Sequence, residues 1–186
     1  PAPAPKPAVK TRFSDVPTHA AFYTEIEWLA SRKITTGYGD GTFRPDQSVE
    51  RGAMAAYFYR MAGSPAVNLP KTSPFLDVPT NHPFYKEIVW MHQRGITTGY
   101  GDGTFRPNEA VSREATAAFL YRYSGSPVIP AVHGSGFKDV RANNSFYREI
   151  IWLESRKITA GYGDGTFRPY DSVSRGAMAA FLYRMR

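Results

Sequence analysis

Ile34-Thr-Thr-Gly-Tyr-Gly-Asp-Gly-Thr-Phe-Arg-Pro45 returns unchanged over 96–107 and, with Ala160 in place of Thr36, over 158–169. Both steps are 62 residues, with no insertion or deletion. The same offset carries Phe13 to Phe75 and Phe137, Trp28 to Trp90 and Trp152, and Arg51 to Arg113 and Arg175. A fixed period of this kind marks a repeat architecture, in which each copy is one supersecondary unit. Inside the block, Asp40-Gly41 signals a tight turn, and the flanking Tyr38 and Phe43 can pack back on the unit.

A helix is expected on each side of this loop. Before it, over about 21–33, Phe22, Ile26 and Leu29 share one face at helical spacing. Pro83 in the second copy suits a helix start, and Asn143, Asn144 and Ser145 offer caps in the third. After the loop, a helix is expected from about Arg51 to Met61. Ser112 and Ser174 are good N-caps for its counterparts and Glu50 is a poorer one, while Gly63 and Gly125 stop the helix. Small residues at Ala53, Ala55 and Ala56 let helices approach closely around a shared axis. The reading is all-α: three helix-loop-helix repeats over 13–63, 75–125 and 137–186, packed as one pseudo-three-fold unit behind a Pro/Ala-rich linker at 1–12. Units of roughly 50 structured residues are marginal alone, so the copies are expected to share one core.

Composition narrows the function. The chain has 186 residues, 42% of them hydrophobic, and a formal charge of +7, which favours an anionic partner. It has no Cys, hence neither disulfides nor thiolate metal sites, and no apolar run near the ~18 residues of a membrane helix. The Pro-Ala-Pro start reads as a module cut from the C-terminal end of a longer protein.

The units resemble S-layer homology domains. The resemblance rests on Phe-x-Asp-Val at 13–16, 75–78 and 137–140, then a Phe-Tyr-x-Glu-Ile helix carrying the Trp. The Gly-Tyr-Gly-Asp-Gly-Thr-Phe-Arg-Pro block and a Val-x-Arg opening an Ala-rich helix complete it. It implies a three-pronged, all-helical, extracellular module of the cell wall or S-layer. Such a module binds an anionic secondary cell-wall polysaccharide, typically one carrying a pyruvyl ketal. There is one departure: the family's Thr-Arg-Ala-Glu reads Glu50-Arg-Gly-Ala53, Ser112-Arg-Glu-Ala115 and Ser174-Arg-Gly-Ala177 here. The Arg is kept and the Glu is lost from its usual place in all three units, which leaves the exact polymer open.

Candidate ligand-binding residues follow. Arg51, Arg113 and Arg175 sit in the first turn of a helix, where a cation opposes the dipole. Each could hold a carboxylate beside open N–H groups, or pair with an internal acid such as Asp15. Each is expected to line a groove between units, with a Trp on its wall and a helix N-terminus at its floor. Glu114 beside Arg113 and the missing Ser cap of the first unit make Arg175 the Arg expected to matter most. Trp28, Trp90 and Trp152 flank the core stripe and could stack on a sugar or seal the seam between units. Asp15, Asp77 and Asp139 could accept sugar hydroxyls, cap a turn or pair with an Arg. Gly37, Gly99 and Gly161 complete the candidate set.

Other residues read as structural. The Gly-Asp-Gly-Thr loop has one acid where a calcium cage needs several, so it reads as a turn. Arg44, Arg106 and Arg168 read as solvated, and Arg60, Arg122 and Arg184 as complements to a helix C-terminus. The His residues do not repeat: His19 corresponds to Asn81 and Asn143, and His92 and His133 have no counterparts. No cofactor, metal, nucleic acid or membrane insertion is expected, and self-association through the rest of a parent protein stays open. Acids repeated three-fold do not single out the carboxylate pair of a glycosidase, so no catalysis is expected in this segment. The alternative reading is the anchoring or targeting segment of a wall-degrading enzyme whose catalytic part lies elsewhere.

Overall fold

The computed structural model describes residues 11–129 and 134–186, so most of the expected linker, and His133, lie outside it. Among the described residues the regular structure is six helices: α1 (Tyr23–Ser31), α2 (Arg51–Met61), α3 (Tyr85–Gln93), α4 (Arg113–Tyr123), α5 (Tyr147–Ser155) and α6 (Arg175–Arg184). None is long and apolar enough to cross a membrane.

The second helix of each repeat is bounded by local chemistry. Ser112 and Ser174 accept the N–H groups of Ala115 and Ala177 through their hydroxyls, while Glu50 makes no side-chain cap. Gly63 and Gly125, at φ +84° and +82°, take the left-handed conformation that ends a helix. The first helices are shorter than periodicity suggests. Phe22 adopts φ 64° and Lys33 φ 58°, so the helix lies strictly between them. Asn144 does not cap α5; it accepts the N–H of Phe146, one residue ahead of the helix.

Helices pair between repeats: α2 packs on α3, α4 on α5, and α6 returns to α1. The three copies therefore close into a circle. At its axis the Val49 N–H donates to Val173 O (2.9 Å), Val173 N–H to Val111 O (2.8 Å) and Val111 N–H to Val49 O (2.9 Å). Ala55 and Ala179 are fully buried, as is Ala117, and their lack of bulk admits the close approach. One hydrophobic cluster draws on all three repeats, with Ile26, Met54 and Phe58, Ile88 and Leu120, and Ile150, Met178 and Leu182 among its members.

Each loop is held by its own polar groups. The Asp40 carboxylate accepts the Thr42 N–H (3.0 Å) and hydroxyl (2.6 Å) through one oxygen and pairs with Arg44 at 3.0 Å through the other. These contacts hold the Asp40 carboxyl at about 2, below the usual carboxylate value, chiefly through the Thr42 and Arg44 hydrogen bonds. The guanidinium of Arg44 also stacks 3.8 Å from the Tyr38 ring centroid. Arg106 and Arg168 repeat the arrangement, so these three arginines are loop clamps and not merely solvated charges.

Candidate functional site

Gly37 opens the loop at φ 69°, and a Cβ there would collide with the Phe13 ring and the Thr42 carbonyl. Gly99 and Gly161 meet the same pair of neighbours in their own repeats. Just beyond, Asp15 spans two consecutive backbone donors: Oδ1 accepts the Phe43 N–H at 2.8 Å and Oδ2 the Arg44 N–H at 2.7 Å. Asp77 and Asp139 do the same to Phe105 and Arg106, and to Phe167 and Arg168. In this structure the three Asp residues clamp the loop backbone and do not pair with Arg51, Arg113 or Arg175.

Those three arginines cross between repeats. Arg51 Nε donates to Phe105 O, Arg113 Nε to Phe167 O and Arg175 Nε to Phe43 O, each at 2.7 Å. Each guanidinium lies against three rings of the neighbouring repeat. For Arg51 these are Tyr100, Phe105 and Phe119, with centroids at 4.8, 4.7 and 5.4 Å. Arg113 meets Tyr162, Phe167 and Phe181, and Arg175 meets Tyr38, Phe43 and Tyr57. All three are buried, at 7%, 5% and 8% exposure. Among the described residues no acidic side chain forms an ion pair with any of them. Burial pushes the Arg51 and Arg113 guanidinium pKa values downward, although an arginine stays charged at any physiological pH. The internal ion-pair alternative is thus not what these arginines form; carbonyl and ring contacts take its place.

Two cavities open onto these cages. One, of about 440 Å³, brings Arg51 of the first repeat to Thr97–Tyr100, Ser112, Glu114 and Ala115 of the second and Phe146 of the third. The other, of about 410 Å³, brings Arg175 to Thr35–Tyr38 and Glu50 of the first repeat and Phe84 of the second. Each groove therefore draws on all three repeats.

The geometry corrects two expectations. The helix start beside each Arg is not open: Arg51 and Gly52 N–H groups donate to Glu109 O (2.9 Å) and Pro107 O (2.8 Å) of the next repeat, and the other two helices repeat this. Backbone carbonyls of the neighbour thus occupy donors that a ligand would need. Nor do an Arg and the residue after it share a groove. Glu114 faces the Arg51 groove, where its Oε2 accepts from Asn144 Nδ2 at 2.9 Å, and Glu50 faces the Arg175 groove. The premise for ranking Arg175 first is therefore gone.

The tryptophans sit elsewhere. Trp90 and Trp152, 6% and 5% exposed, pack edge-on against Tyr59 and Tyr121, and Trp28 against Tyr183, at the helix seams. None is among the residues lining the two arginine cavities. A second arginine is, and sequence reasoning missed it. Arg60 lines the Arg175 cavity and Arg122 the Arg51 cavity, each donating to the carbonyl of Ile34 or Ile96. The signal was present: this arginine, with Arg184, also repeats in every copy.

A closed three-repeat helical module with arginine-lined inter-repeat grooves is the class this geometry defines. The chain belongs to the S-layer homology domain family: the family model matches residues 12–55, 74–117 and 136–179. Curated relatives include cell surface glycoprotein 1 (27% identical) and the cellulosome-anchoring protein (27%), both of Acetivibrio thermocellus, over 82% and 80% of this chain. The amylopullulanase of Thermoanaerobacterium thermosulfurigenes is 25% identical over 85% of it. The chain spans 7%, 34% and 8% of the lengths of these proteins.

Proposed function

We propose that this chain is the non-covalent wall-anchoring module of an exported protein, and that it binds an acidic cell-wall polysaccharide through its inter-repeat grooves. A location at the cell wall or S-layer follows from the family, whose domain is an anchoring module and not a catalytic one. The observation that carries the ligand reading is the set of three buried guanidiniums that form no ion pair among the described residues. Buried charge is costly unless it is paired, so a ligand carboxylate entering the groove supplies the missing partner. A pyruvyl ketal offers such a carboxylate on a sugar. The second arginine of the Arg51 and Arg175 cavities, Arg122 and Arg60, adds positive potential where the anion arrives.

The test compares retention on native walls with retention on walls stripped of non-peptidoglycan polymer. Binding should vanish with the polymer, and calorimetry on the purified glycan should show affinity falling with salt and with chemical removal of the ketal. Equal retention on both wall preparations would overturn the reading. Likeness to an amylopullulanase favours a second reading of the parent protein: an enzyme whose catalytic part lies outside this segment. An appended hydrolase domain then acts where the module holds it.

A further inference from the structure

The groove that Arg51 closes does not end at its own floor. Arg122 lines it on one side and lines a second cavity, of about 580 Å³, on the other. That cavity lies at the seam of the first two repeats, walled by Trp90, Gln93 and Arg94 and by Ala62, Pro65 and Tyr123. Arg94 is exposed, and no acid pairs with it among the described residues. The Trp90 indole N–H is not among the buried polar atoms left without a partner, and none of the described hydrogen bonds uses it. The rim is preformed: the Tyr59 hydroxyl donates to Pro65 O at 2.7 Å and Gln93 Nε2 to Asn68 O at 2.8 Å, which pins the connector over the seam. Trp90, Arg94 and Arg122 all recur at the 62-residue period, as Trp28, Arg32 and Arg60 and as Trp152, Arg156 and Arg184.

We propose that this seam cavity is a second saccharide subsite, which takes the sugars following the one held at Arg51 on the same acidic glycan. The proposal rests on the anchoring reading above. One arginine shared by two adjoining cavities gives a continuous cationic wall. An aromatic edge beside two guanidiniums suits a sugar ring with acidic substituents or neighbours. The module then reads a chain segment and not a single terminal residue.

The experiment uses the whole chain and size-fractionated fragments of purified acidic wall glycan, a carboxylate-bearing disaccharide and longer oligosaccharides, measured by calorimetry. The parent should bind the longer fragments about tenfold more tightly than the disaccharide, the scale of one charge-assisted contact. Arg94→Glu should abolish that gain and leave disaccharide affinity unchanged. A charge-matched control, Arg148→Glu, lines neither cavity and should keep the gain. The subsite is rejected if parent affinity is independent of length, or if Arg94→Glu keeps the gain. It is also rejected if Arg94→Glu weakens both fragments equally, since that marks a general field effect. A parent that binds no fragment overturns the anchoring reading itself and the subsite with it.

Discussion

The groove at Arg51 and the groove at Arg175 share a frame and differ in their floors. Both place a guanidinium against a tyrosine and a phenylalanine of the next repeat, with its Nε 2.7 Å from a phenylalanine carbonyl. The Arg51 floor has a Ser112 cap, a Glu114 tied to Asn144, and Phe119. The Arg175 floor has an uncapped Glu50 and, where Phe119 would be, Tyr57, whose buried hydroxyl has no hydrogen-bond partner. Burial dominates and raises the pKa of that hydroxyl, against the lowering effects of the Arg175 charge and of nearby Thr35, so Tyr57 stays protonated. Frame residues are thus common to all copies, while floor residues make the grooves chemically unequal. The third arginine, Arg113, lies against Tyr162, Phe167 and Phe181 of the third repeat, whose second helix opens with Ser174-Arg-Gly-Ala177 and carries no acid there.

The largest expected effect separates frame from ligand. Arg51→Ala, Arg113→Ala and Arg175→Ala should each lower stability by about 1–3 kcal/mol, because a buried carbonyl loses its donor. Each should also weaken glycan binding tenfold or more, Arg113→Ala most, because the helix start of the repeat it packs against carries no acid. Calorimetry beside thermal melts checks both. Three variants that melt and bind like the parent would dissolve the comparison. Gly37→Ala and Gly99→Ala come next. A side chain at that left-handed position meets a ring and a carbonyl, which should cost about 1–3 kcal/mol, equally in both repeats. Unequal melting temperatures would mean that the frame is not shared.

Smaller changes act on the floors alone. Glu50→Ser should stabilise the protein by about 1 kcal/mol by supplying the missing cap, while Ser112→Ala should cost a similar amount. Tyr57→Phe should leave stability unchanged or raise it by up to about 1 kcal/mol, and Phe119→Tyr should lower it. A stability loss in Tyr57→Phe would show that the hydroxyl is satisfied after all. The smallest effect should be common to all repeats. Asp40, Asp102 and Asp164 are held at about 2, against about 4 in an unfolded chain. Their contribution is complete above the unfolded value and is lost as pH falls through the folded one. Melting temperature should therefore fall below pH ~4, and less steeply in a triple Asp→Asn variant, which removes this linkage.

The position of α2 was legible, because Pro45, the loop turn and Gly63 punctuate the chain on both sides. The start of α1 was not, since nothing in Ala21-Phe22 announces that Phe22 turns left-handed. The grooves were legible as grooves between repeats with an arginine in each. Their partners were not, because a side chain that crosses to the next copy is invisible to any argument made within one copy. Glu114 looked like a neighbour of Arg113 and lies instead in the groove of Arg51. Arg60 and Arg122 were explained by the helix dipole, a sufficient reason that concealed a second one.

The three valines at the axis carry a consequence for lineage. Each gives one N–H and takes one through its carbonyl, so the trio leaves no donor for another member. Open stacks of repeats lengthen by adding copies and protect their ends with caps. A closed trio cannot do so: duplicating one unit would either break the circle or leave the extra copy outside it. Lengthening that keeps a closed circle of this kind therefore needs a further complete set of three units, because α6 already meets α1 as α2 meets α3.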